Sequence, residues 1–133
     1  MTLRKRRPGL VYPTWEDWIY VGSGGSAPAF GTDWTNVGTP WPALAFRQRE
    51  AGVVDIIGTV TAGVTAASAL FTLPVEYRPN EQTFMPFIRQ RSAVKSGQLL
   101  VVSASGDVAP QDSITSGDID YIAGSFFIDT AAP

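Results

Sequence analysis

The sequence predicts an all-β protein: a single antiparallel β-sandwich or jelly-roll-like domain over residues 14–133, preceded by an extended N-terminal arm over residues 1–13. Three observations predict it. Short runs of β-branched and apolar residues recur between breaks that contain Gly or Pro, the pattern of strands separated by turns. No window of about 11 residues sustains an apolar repeat of 3.6. The 13 glycines and 10 prolines supply turn formers throughout.

The elements follow in chain order. Residues 1–13 hold two prolines and a glycine, which exclude a helix interior. Residues 14–46 are aromatic and turn-rich and contain all four tryptophans. Residues 16–20 predict one short helical turn capped by Thr14, and residues 22–26, with three glycines, predict a loop or tight bend. Residues 33–36 and 39–42 read as turns, each with a buried indole, Trp34 and Trp41. From residue 43 the pattern is β: weak alternation over 43–49, then apolar runs at 53–60 and 69–73. Residues 84–90 predict a strand in which Pro86 marks an edge or a bulge. Residues 99–103 and Val108 flank a Ser-Gly-Asp hairpin signal, and residues 121–128 form a last strand. The expectation is about eight short strands.

Composition bounds the chemistry. A chain of 133 residues suits one domain with a real core. Cys and His are both 0, which excludes Ser-His-Asp and Cys-His hydrolases and most zinc sites from this chain acting alone. The reading is therefore non-enzymatic, with no cofactor and no catalytic residue. Charge is asymmetric: Arg4, Lys5, Arg6 and Arg7 are basic, whereas the rest of the chain carries 6 basic and 12 acidic residues, a net of −6. The acidic body argues against nucleic acid as a partner. The most apolar stretch, 53–73, is too polar to span a bilayer, so no membrane partner is expected.

Several groups invite a sharper reading. Asp118 and Asp120, with Asp112 or Asp107, have the chemistry of a calcium site but lack the spacing of a dedicated loop, so solvated loop acids are the preferred reading. Glu16 and Asp17 beside Trp15 and Trp18 suggest a sugar-stacking site; core or interface packing of the indoles is the plainer account. Arg89, Arg91 and Lys95 predict surface salt bridges or pairing with acids of a neighbouring subunit. The arm predicts a docking element, with Arg4, Lys5, Arg6, Arg7 and Tyr12 as its contacts. Finally, residues 53–54, 56–57, 99–102 and 126–128 are apolar on both faces of their strands. A small monomeric sandwich leaves one face polar, so the second face must be covered, by the aromatic third of the chain or by another subunit.

One stretch carries a resemblance. Phe46-Arg47, the run from Gly52 through Gly58 to Val60, Gly63, Leu70-Phe71-Thr72-Leu73-Pro74 and Tyr77-Arg78-Pro79, with Trp34 and Trp41-Pro42 upstream and Gly106-Asp107-Val108 downstream, resemble a β-rich module of tailed-bacteriophage virion proteins. Such modules occur at the tips of tail fibres and as head-fibre or head-decoration proteins. Val75-Glu76 departs from the module, which often has Gly before the Tyr. The resemblance implies a homotrimer in which Trp34, Trp41, Phe71, Tyr77 and Arg78 serve core or trimer packing. Within that frame the expected function is a decoration (cement) protein on the capsid exterior, bound to the major capsid protein or another virion protein. The alternative is a receptor-binding knob on a tail or fibre that recognises a host surface glycan or protein. A knob needs a shaft, and the chain holds neither heptads nor Gly-x-y triplets, which favours decoration.

Overall fold

A computed structural model describes residues 16–50, 52–63, 69–112 and 114–128. The arm, with Arg4, Lys5, Arg6, Arg7 and Tyr12, lies outside the described residues, as does Trp15. The described chain is all-β. Nine strands form it: β1 (Ile19–Tyr20), β2 (Trp34–Asn36), β3 (Ala45–Glu50), β4 (Val53–Ala62), β5 (Phe71–Thr72), β6 (Thr83–Arg91), β7 (Val94–Val102), β8 (Asp107–Pro110) and β9 (Ile119–Phe127). One 3-10 turn, Val75–Tyr77, follows β5. No helix of the described residues is long and apolar enough to cross a membrane.

The strands make one antiparallel sheet in the order β1-β3-β4-β9-β6-β7-β8-β5, with β2 pairing β4 off this path. The two layers of this sandwich-like fold are thus halves of one sheet that curls to share a core. β4 pairs β9 over nine residues and β6 pairs β7 over nine, but β6 and β9 join the halves through only Ile88↔Tyr121, Arg89↔Asp120 and Gln90↔Ile119. Beyond this seam β6 and β9 diverge. Pro86, which cannot donate to a ladder, lies where β6 has β7 as its only strand partner.

Alternation places Val54, Ile56, Val60 and Ala62 of β4 inside, in one core with Met85 and Phe87 of β6 and Leu100 and Val102 of β7. Phe46 and Phe71 stack at 5.5 Å between ring centroids, and Tyr77 meets Phe46 edge-on at 5.0 Å. Gly58 lies inside β4 at a position where Leu44 leaves no room for a side chain: a Cβ there would stand 2.5 Å from the Leu44 Cα. Gly106 turns the β7–β8 hairpin at φ 98°. Arg78 closes that corner by donating from Nε to the Leu73 carbonyl at 2.8 Å.

Three local expectations give way to sheet pairing. Residues 16–20 make no helical turn: Ile19 and Tyr20 pair with Phe46 and Ala45, and the Glu16 amide bonds to the Gln48 carbonyl. Residues 34–36, read as a turn, are strand β2, recruited by residues 60–62 of β4. β7 begins at Val94, five residues before the apolar run that announced it.

Candidate interaction face

Cross-strand register defines the outer side of the sheet, on which Ala45 and Thr59 are buried and the side chains around them reach solvent. Residues directly opposite on antiparallel strands share a face. The pairs Tyr20↔Ala45, Ala45↔Ile57 and Ile57↔Ala123 therefore form one apolar row across β1, β3, β4 and β9. Thr59, Tyr121, Ile88 and Gly97 form the next row and carry the surface across the seam. Pro86 opposite Leu99, and Phe84 opposite Val101, extend it over β6 and β7. Trp41, from the loop before β3, stands edge-on to Tyr121 at 5.4 Å. Trp41 and Phe84 are 46% exposed, Ile88 44% and Leu99 39%. These values exclude a core role and make the surface an apolar patch in solvent.

Where β6 and β9 diverge, the face deepens into a cleft of about 580 Å³, walled by Trp41, Pro42, Pro86 and Ile88 and floored by Ile57 and Tyr121. No charged side chain lines it. One border is polar: Asp55 accepts from Ser125 Oγ at 2.6 Å and from Arg49 Nε at 2.9 Å. Arg47 lies 3.4 Å from the same carboxylate and 4.1 Å over the Trp18 ring. The Asp55 carboxyl sits below its ordinary range: desolvation pushes it up, but the hydrogen bonds from Ser125, Arg49 and Arg47 together outweigh that push.

The inner side of the seam carries the main charged cluster. Arg89 grips Asp120 with two hydrogen bonds, Nε to Oδ1 at 2.8 Å and Nη2 to Oδ2 at 3.0 Å. Arg91 grips Asp118 in the same way, at 2.9 and 2.7 Å. Asp118 Oδ2 also stands 3.7 Å from Arg89 Nε and accepts from the Thr115 amide. Burial raises the Asp120 carboxyl above its ordinary range, whereas the bond from Arg91 holds Asp118 below it. Asp118 and Asp120 are thus buried ion-pair partners and not solvated loop acids. Arg89 and Arg91 pair with acids of their own chain. A divalent cation would meet two guanidinium groups already holding these carboxylates. Asp107 accepts from Thr72 Oγ1, Asp112 is exposed, and no group of three acidic residues is placed to hold a metal among the described residues.

The packing residues separate. Trp34 and Phe71 are buried in the core, Tyr77 packs against it, and Arg78 holds a backbone carbonyl. Trp41, expected as a buried indole, belongs instead to the exposed face. Of the groups in the sugar-stacking reading, Arg47 covers the Trp18 ring and Glu16 accepts from the Gln48 amide and the Tyr77 hydroxyl, while Asp17 is exposed and Trp15 lies outside the described residues. Two-sided strands were readable in the sequence, but the cleft was not, because it depends on where β6 and β9 part. No protein-family model and no curated protein matches the chain.

Proposed function

We propose that this protein is a non-enzymatic structural component of a tailed-bacteriophage particle, a homotrimeric decoration protein held on the capsid exterior. The arm docks it on its partners: Arg4, Lys5, Arg6 and Arg7 on the major capsid protein or another virion protein, and Tyr12 on a partner surface within the assembly. The observation that supports this reading is the apolar part of the outer face around the cleft, which no charged side chain lines. Its half-exposed rings of Tyr20, Trp41 and Phe84 alone leave roughly 250–300 Å² in water, at about 150–250 Å² per aromatic side chain. With Ile88 and Leu99 added, the patch matches the largest on ordinary monomers, roughly 300–600 Å², the size that marks an interaction surface. Copies whose bodies carry a net −6 repel one another except where they meet through neutral surface, and this face provides it. Copies therefore abut across β6 and β7.

Two measurements test the reading. Quantitative mass spectrometry of intact particles should count hundreds of copies. A few dozen would move the protein to the tail, as a receptor-binding knob, and absence from particles would end the proposal. Removing residues 1–12 should abolish binding to capsids that lack the protein; undiminished binding would remove the arm from the docking role.

A further inference from the structure

We propose that Leu10, Val11 and Tyr12 of one copy seat in the cleft of a neighbouring copy, between Trp41 and Ile88; this rests on the oligomeric reading above. The cleft takes an apolar occupant, because its walls and floor carry no charge. At about 580 Å³ it falls in the roughly 300–1,000 Å³ range of sites that enclose a small ligand, enough for a few side chains. Outside the described residues the chain has one cluster of large apolar side chains, Leu10, Val11, Tyr12 and Trp15; the stretch 64–68 offers only Val64, and 129–133 offers none. Pro8 and Pro13 bracket the first three and favour an extended backbone. An extended segment is the shape that a slot between diverging strands receives.

Strand polarity argues for the neighbour's cleft over the chain's own. The Glu16 amide is tied to the Gln48 carbonyl, and β1 then runs toward Tyr20 opposite Ala45. Ala45 faces Ile57, where the cleft begins. The chain upstream of Glu16 thus departs from the end of β3 farther from the cleft, and must reverse over its own strands to reach it. A neighbour's cleft requires no reversal. The four to six residues from Glu16 back to Tyr12 and Leu10 span about 13–22 Å at about 3.3–3.6 Å each, so the receiving cleft belongs to a copy packed directly beside the end of β3 from which the arm leaves. Arg4, Lys5, Arg6 and Arg7 would then lie beyond the cleft, drawn by the acidic neighbour and free to contact the shell.

The absence of cysteine makes the test direct. Full-length Tyr12→Cys and Ile88→Cys proteins are purified separately, unfolded together in urea, refolded as a mixture so that oligomers hold both variants, and mildly oxidised. The expected product is a disulfide-linked pair of chains, at least tenfold above that from Tyr12→Cys mixed with Ser105→Cys, an exposed position on the β7–β8 hairpin. Equal yields in the two mixtures would overturn the proposal, as would a Tyr12→Cys/Ile88→Cys double variant that closes only within single chains. Light scattering on the unmodified protein separates the two levels. A monomer removes the oligomeric reading itself, whereas a stable oligomer in which the two introduced thiols fail to join removes only the arm's seat.

Discussion

Asp120→Asn leaves the Arg89 guanidinium charged in a site where both side chains are 3% exposed or less. The variant loses the ionic partner of two bonds at 2.8 and 3.0 Å, and Asp118 Oδ2, 3.7 Å from Arg89 Nε, compensates only in part. Breaking a buried pair from one side costs about 3–5 kcal/mol. The remaining carboxylate places this case at the lower end, about 3 kcal/mol. A domain of this size unfolds with about 5–15 kcal/mol, so the variant folds, with a melting temperature lower by roughly 12 °C at about 4 °C per kcal/mol. Replacing both partners, Arg89→Met with Asp120→Leu, removes the stranded charge and should restore stability to within about 1 kcal/mol of the parent or exceed it. The assay is urea unfolding followed by tryptophan fluorescence, to which the buried Trp34 contributes, at one fixed protein concentration so that any self-association would weigh equally on all variants. A loss below about 1 kcal/mol for Asp120→Asn, or a double variant weaker than the single one, would refute the argument that an isolated charge sets the cost.

Gly58→Ala should destabilise by more than the usual ~1–3 kcal/mol of core overpacking, because the new Cβ meets Leu44 backbone at 2.5 Å; the denaturant midpoint measures it. The Tyr77 hydroxyl, pushed up to about 12 by burial and by its bond to Glu16, should give its phenolate absorbance well above the ordinary tyrosine value of 10 on alkaline titration, and Glu16→Gln should lower its midpoint. Asp55 and Asp118 titrate below their ordinary value of 3.8, so their contribution to stability is present above that value and is lost as pH falls through the lowered ones. Asp120, raised by burial, works in the opposite sense: its contribution declines as pH rises through its raised value. Asp118→Asn should therefore flatten the acid limb of a stability–pH curve, read from melting temperatures.

The central strands were legible because their residues make strand the one outcome that hides them. The β-branched run of β4 and the aromatic and apolar run of β9 read as strands without any knowledge of their partners. β7 was half legible: Leu99, Leu100, Val101 and Val102 announce it, while Val94, Lys95, Ser96 and Gly97 are exposed, carry no burial pattern, and are held by pairing to β6. Residues 33–36 read as a turn from Asp33 and Asn36; Asp33 does turn, at φ 69°, but Trp34, Thr35 and Asn36 after it pair with the β4 edge. The ion pairs were illegible for another reason. Arg89 and Asp120 stand 31 residues apart, and only the β6–β9 register sets them face to face. The same register sets where the strands part, and so the cleft, whose side chains come from five separate segments.

The three-residue seam between β6 and β9 also determines how the molecule bears load. Each half is laced by long ladders, while the halves share a short ladder backed by Arg89 and Asp120. Tension applied across the halves would be carried by those few bonds and by the shared core packed beneath them. A neighbour bridging the Trp41 and Ile88 sides of the cleft would clamp that seam from outside, so assembly would toughen each subunit as well as join it to the next.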